Sequence, residues 1–179
     1  MATQNNNLSI VKGSSQFNIT GNEVISIVYA EWNEEVTVPL MNGAKEKLIE
    51  LGIASVNIHI HQVPGAFELV AGSKLILDME MPDALIAIGC VIQGETKHFD
   101  YICSAVTQGL TTLNTSYDTP CIFGVLTTDN LQQALDRAGG KHGNKGHEAA
   151  ITAVKMISLQ NKLLSTYENE QTADFEDQE

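Results

Sequence analysis

Residues 89–102, Gly-Cys-Val-Ile-Gln-Gly-Glu-Thr-Lys-His-Phe-Asp-Tyr-Ile, combine residue types that could move protons on an anionic substrate. An apolar run from Ala84 to Ile92 ends in a glycine-containing turn, and a helix with apolar positions Phe99, Ile102, Cys103 and Val106 then begins. Such a turn exposes backbone N–H groups at a helix N-terminus, which attract anions. His98 falls within the first turn of that helix, and imidazole is the side chain that titrates near neutral pH. An anion cradle beside an imidazole suits acid–base chemistry on a small phosphorylated substrate.

Other residues could serve the same chemistry. Trp32, the single tryptophan, directly follows a β-branched apolar run. Its ring could stack on a planar heterocycle or simply fill a core. Phe67 and Glu68 open a helix behind Pro64-Gly65. Glu68 is either a first-turn acid favoured by the helix dipole or an acceptor for a polyhydroxy ligand. The stretch Arg137 to Gly146 gathers Arg137, Lys141 and Lys145 in an otherwise acidic chain. It superficially suggests a P-loop, but it lacks the Gly-Lys-Ser/Thr ending and lies between two predicted helices, which argues against a nucleotide triphosphatase. A cationic loop that reaches a phosphate and a solvated turn both remain open. His59 and His61 share one strand face but have no clear third ligand, so a structural role is expected rather than a metal site. His142 and His147 are expected to face solvent. Neither Gly-x-Gly-x-x-Gly after a strand nor Gly-x-Ser-x-Gly occurs, so dinucleotide binding and serine hydrolysis lack their motifs.

These residues must be positioned by regular elements. Glu23–Ala30 reads as a buried strand. Asn33 can cap a helix that runs to about Leu51 and stops at Gly52. Pro39 inside it predicts a kink, or a start nearer Thr37. A strand over Ser55–Val63, a helix over Ala66–Leu77 and a strand from Ala84 follow. The helix after His98 should reach about Asn114. Thr119-Pro120 introduces the strand Cys121–Thr127, and Asp129 or Asn130 caps a short helix ending near Arg137. A final helix is expected over about Glu148–Ser165. Near-continuous apolar strands alternating with helices predict a four-stranded parallel sheet covered on both faces. The expected fold class is α/β, a three-layer, flavodoxin-like α/β/α sandwich. Ligands in such folds sit beyond the C-terminal ends of the strands, where loops 31–33, 63–68 and 91–98 fall. A further short strand, Leu8–Lys12, could be a frayed arm or could add to a neighbouring subunit's sheet.

Composition narrows the classes. The chain has 179 residues with 43% hydrophobic content, enough for one packed domain. Its organisation reads as an arm over residues 1–16, a folded unit over 17–165 and an acidic, disordered tail over 166–179. Residues 168–179 hold six acids and no base, half of the net charge of −12. With no concentrated basic stripe, nucleic-acid binding is not expected. No apolar run approaches a membrane span, and no signal or transit pattern opens the chain, so a cytoplasmic location is expected. The three cysteines, Cys90, Cys103 and Cys121, lie in apolar segments at wide spacings, which predicts buried reduced thiols.

The motifs taken together resemble the lumazine synthase family of riboflavin biosynthesis. Four blocks carry the resemblance in order: 63–68 (Val-Pro-Gly-Ala-Phe-Glu), 89–102, 123–128 (Phe-Gly-Val-Leu-Thr-Thr) and 137–150. The resemblance spans about Phe17 to Leu159. It implies condensation of 5-amino-6-ribitylaminouracil with 3,4-dihydroxy-2-butanone 4-phosphate, with no metal and no other cofactor. It also implies a homo-oligomer, a pentamer or a 60-mer of pentamers, with riboflavin synthase as a further candidate partner. By the same resemblance, Trp32 stacks on the pyrimidine, where most relatives carry Phe. Asn33, Ala66, Phe67 and Glu68 face the ribityl side, and Val91 and Ile92 line the heterocycle. Glu95 and Thr96 form the phosphate turn through their main chain, and His98 is the acid–base residue. From a neighbouring subunit, Phe123 supplies the opposing wall, Arg137 the phosphate-binding cation and Lys145 a further cation. Gln93 stands where relatives commonly carry Arg. A non-catalytic flavin carrier would need Trp32 and Phe123 but neither His98 nor Arg137, and a riboflavin synthase would need no phosphate site.

Overall fold

The computed structural model describes residues 15–176. Four strands, β1 (Ile25–Ala30), β2 (Ile58–Val63), β3 (Ala84–Ile92) and β4 (Cys121–Thr128), form one sheet in the order β2-β1-β3-β4. Every pairing is parallel. Helices α1 (Glu34–Glu50), α2 (Glu68–Met79), α3 (His98–Ser116), α4 (Leu131–Leu135) and α5 (Lys145–Glu176) supply the outer layers.

Strand alternation decides which helix covers which face. Ile25 and Ile27 of β1, Ile86 and Ile88 of β3, and Ile122 and Leu126 of β4 pack with α1 and α5. Val28, Leu85, Ala87, Cys121 and Val125 point the other way, into a second core with α2 and α3. The β3 strand is buried on both faces from Ala84 to Cys90, as its unbroken apolar run predicts. The result is the expected three-layer sandwich.

Local differences from the sequence reading have physical causes. The third predicted segment begins not as a strand but as a 3₁₀ turn, Ser55–Asn57, before β2. Helix α1 starts at Glu34 and passes through Pro39, because the Asn33 carbonyl already accepts from the N–H groups of Val36 and Thr37 and closes the first turn. Gly52, at φ +98°, stops that helix as expected. Asn130 caps α4 through its side chain, which accepts from the Gln133 N–H at 3.0 Å. The glycine-rich stretch after α4 is not a simple turn. It forms an antiparallel hairpin of β5 (Ala138–Gly140) and β6 (Gly143–Asn144), with Gly139 and Gly143 both at positive φ. His142 and His147 are half-buried rather than solvated.

Helix α5 begins earlier and ends later than expected. It runs to Glu176, into the segment predicted to be a disordered tail, and no Gly or Pro follows Gly146 to stop it. The short strand expected at Leu8–Lys12, and with it any addition to a neighbouring sheet, lies outside the described residues. Among the described residues no helix is long and apolar enough to cross a membrane.

Candidate active site

A cleft of about 530 Å³ opens at the C-terminal ends of β1, β2 and β3, lined by the three loops singled out from the sequence. It brings together Trp32, Asn33, Ala66, Phe67, Glu68, Val91, Ile92, Thr96 and His98. Glu95 does not line it; its side chain is exposed beside the turn. Trp32 is 74% exposed and Phe67 57%, so neither is a core aromatic. Both present open ring surface at the cleft. Pairing between neighbouring loops holds Trp32 there. The Glu31 N–H donates to the Val63 carbonyl at 2.8 Å and the Trp32 N–H to the Pro64 carbonyl at 3.0 Å, which continues the β1–β2 ladder past the ends of the strands.

Asn33 does something the sequence could not show. Its backbone is left-handed, at φ 63° and ψ 44°, and its side chain does not cap α1. Instead Nδ2 donates to the Cys90 carbonyl at 2.9 Å. The β1–β3 register ends at Tyr29 opposite Ile88, so β3 outruns its neighbour and the Asn33 amide takes the place of the missing ladder donor. Asn tolerates the left-handed backbone better than most residues. One residue therefore turns the chain out of β1 and ties the turn to β3.

The turn after β3 leaves a run of backbone N–H groups unused. The Gln93 N–H is used by the Thr128 carbonyl at 2.8 Å. The next N–H groups, those of Gly94, Glu95, Thr96 and Lys97, have no acceptor among the described residues. They precede the start of α3, where the helix dipole adds positive potential. The His98 N–H makes only a long contact of 3.4 Å to Thr96 Oγ1, and the His98 side chain is exposed at the mouth of the cleft. On the opposite wall, a Cβ added to Gly65 would lie 2.9 Å from Glu68 Oε2, so glycine there leaves the carboxylate its position. Burial, and then the charge of Glu35, push the Cys90 thiol up to about 11. At neutral pH it is a protonated wall atom, not a nucleophile. Burial pushes Cys121 up to about 11 as well, whereas Cys103 is only half-buried.

The remaining three predicted residues lie elsewhere. Phe123, Arg137 and Lys145 line a second cavity of about 640 Å³ beside β4 and the start of α5. It shares no lining residue with the first. Strand β4 is the last of its sheet, and Phe123 on it is 45% exposed. Arg137 Nη1 donates to the Gln133 carbonyl at 2.8 Å. Lys145 Nζ is in short contact with Glu148 Oε1, each side chain being 18% exposed. Glu148 was missed from sequence, although an acid three residues after a lysine at a helix start is a visible signal. The pair leaves Arg137 as the cation of this cavity without a carboxylate partner.

The His59–His61 pair serves structure. Glu80, at the end of α2, lies 3.0 Å from His59 Nδ1 and accepts from Ser26 Oγ at 2.8 Å. His61 Nε2 is 2.9 Å from the other carboxylate oxygen but off the line of a hydrogen bond, so that contact is electrostatic. Among the described residues no group of three or more His, Cys, Asp or Glu side chains is arranged to hold a metal ion.

Comparison with known proteins assigns the chain to a family. The family described as 6,7-dimethyl-8-ribityllumazine synthase matches residues 23–161. A 6,7-dimethyl-8-ribityllumazine synthase of Cytophaga hutchinsonii is 53% identical over 158 residues, covering 88% of this chain and 98% of its own length. One from Parabacteroides distasonis is 50% identical over 164 residues, covering 89% of this chain and 99% of its own.

Proposed function

The chain belongs to the 6,7-dimethyl-8-ribityllumazine synthase family, and from that premise we propose how its two cavities divide the reaction. The enzyme is a transferase of riboflavin biosynthesis that condenses 5-amino-6-ribitylaminouracil with 3,4-dihydroxy-2-butanone 4-phosphate. In our reading the pyrimidine lies against the Trp32 ring between Val91 and Ile92, and Glu68 accepts hydrogen bonds from the ribityl hydroxyls. The phosphate rests on the N–H groups of residues 94–97. Arg137 of a neighbouring copy completes its charge compensation, with Phe123 of that copy as the far wall.

The observation that carries this reading is the joint lining of one cleft by Trp32, Phe67, Glu68, His98 and a turn with unused N–H groups. No Lys or Arg lines that cleft, although its substrate is a phosphate ester. The cations face the second cavity, whose open strand edge suits contact with another copy. This supports a shared site in a pentamer, or in a 60-mer built from pentamers.

The chemistry follows from what the cleft holds. The aromatic amine adds to the ketone and a water leaves. Phosphate is then eliminated, and the ribityl nitrogen closes the ring with loss of a second water. Each addition and each loss moves a proton. His98 gives and takes those protons at the mouth of the cleft. Fixing two reactants side by side can supply up to about 7–11 kcal/mol of the barrier, which the aromatic platform and the anion turn do together. Mixing the two substrates with the protein and following lumazine absorbance tests the activity. Formation of the lumazine with release of one phosphate is the expected result; absence of both would contradict it. The protein's cytoplasmic placement is part of the same proposal, in keeping with a soluble substrate pair.

A further inference from the structure

The hairpin flanked by the second cavity's cations is clamped to α1 by one amide. Asn144 Nδ2 donates to the Pro39 carbonyl at 2.9 Å, and Asn144 Oδ1 accepts from the Gly146 N–H at 2.8 Å. The fit leaves no slack. A Cβ on Gly43 would lie 2.4 Å from Asn144 Nδ2. A Cβ on Gly146 would lie 1.9 Å from the Leu40 carbonyl oxygen and 2.9 Å from the Ala44 nitrogen. The two glycines therefore let α5 begin directly against the backbone of α1, and the Asn144 amide fills the space between them. The local bond from the Gly146 N–H sets the orientation of the Asn144 amide, and the bond to the Pro39 carbonyl then fixes where the hairpin meets α1.

From that clamp to the cations the path is short. Lys145 is the next residue, and its N–H donates to the Arg137 carbonyl at 2.9 Å. Arg137 is held in turn by the Gln133 carbonyl, and Lys145 by Glu148. We infer that Asn144 is a positioning residue: by locking the β5–β6 hairpin to the Pro39 carbonyl, it sets where Arg137 and Lys145 meet the substrate phosphate. The inference rests on the proposed role of those two cations. It also accounts for Gly146, which serves close packing of α5 on α1 and not a phosphate-binding loop.

Asn144→Asp tests it. The variant keeps the acceptor for the Gly146 N–H but turns a carboxylate oxygen towards the Pro39 carbonyl. The expected result is a rise of about ten-fold in KM for the ketose phosphate and in the inhibition constant of inorganic phosphate, the scale of one weakened charged hydrogen bond. KM for the pyrimidine substrate should stay within about two-fold, because that substrate binds in the other cavity. Gly43→Ala leaves Asn144 in place but crowds its amide, and should move the same two constants in the same direction even if Asn144→Asp fails to fold. Arg137→Ala combined with either variant should show little additional loss. A drop in Tm with both phosphate constants unchanged would overturn the inference and leave Asn144 a purely structural residue. Full additivity with Arg137→Ala would overturn it too. An Arg137→Ala variant that binds phosphate normally would instead remove the cavity's assigned role, a distinct failure read from that single variant alone.

Discussion

The cleft at the strand ends and the cavity beside β4 differ in kind. The first is aromatic and rich in unused N–H groups, and its titratable side chains are Glu68, Cys90 and His98, with no lysine or arginine among its lining residues. The second holds Arg137 and Lys145 beside an exposed Phe123 and offers no imidazole. Each has what the other lacks for joining a neutral heterocycle to a sugar phosphate. The two also differ in how they are held. The cleft depends on loops that extend ladders already present, with Asn33 bridging to β3. The cavity depends on a hairpin that belongs to no part of the main sheet and is tied to α1 by one side-chain hydrogen bond, from Asn144 to the Pro39 carbonyl. The proposal that two copies share one site rests on this complementarity.

The largest effect should come from the proton carrier proposed for the cleft. His98→Ala should lower kcat by about 10²–10⁴-fold while substrate binding persists, measured in steady-state assays; full retained activity would remove His98 from the chemistry. The cavity's cation should behave in the opposite way. Arg137→Ala should raise KM for the ketose phosphate by roughly ten- to hundred-fold, the loss of a charged hydrogen bond of about 1.5–3 kcal/mol, with KM for the pyrimidine little changed. If the two variants gave the same pattern, the contrast between the regions would collapse.

A smaller effect sharpens the account of the cleft. Asn33→Gly keeps the left-handed backbone at no steric cost but removes the bond to the Cys90 carbonyl and a side chain lining the cleft. It should weaken pyrimidine binding by a few-fold, consistent with a net loss of about 0.5–1.5 kcal/mol. It should also change the emission of Trp32, the single tryptophan, on ligand addition. An unchanged titration would show that Trp32 needs no tie to β3.

The smallest effect lies away from both cavities, where Glu80 meets His59, His61 and Ser26. Burial raises the Glu80 carboxyl, but hydrogen bonds from His59 and Ser26 and the charge of His61 outweigh it and hold the group below its ordinary value of 4.5. A carboxyl depressed in the folded state contributes stability above its unfolded pKa, and that contribution fades as pH falls through the folded value. Stability should therefore decline below about pH 4.5, and Glu80→Gln should flatten that decline in acid denaturation without altering either KM.

Much of the fold was legible because strand β3 is apolar at every position and the other strands carry β-branched runs between helix signals. The cleft was legible for the same reason: its loops follow those strands, and a parallel sheet collects its loops at one end. What stayed hidden depends on partners distant in sequence. Asn33 reads as a helix cap until its amide is seen on Cys90, 57 residues away. Asn144 reads as a turn residue until Pro39, 105 residues away, receives its hydrogen bond. The β5–β6 hairpin hides because glycines carry no periodicity. Helix α5 overran its expected end because acidic, polar residues such as Glu and Gln form helix well and nothing stops them.

Co-expressing His98→Ala and Arg137→Ala chains asks most directly whether the two cavities make one site. Each variant alone should be impaired. In mixed assemblies, random neighbours pair an intact His98 with an intact Arg137 at about one site in four, so roughly a quarter of the wild-type activity should return at limiting ketose phosphate. No recovery beyond the average of the two parents would place the whole site within a single chain and contradict the account.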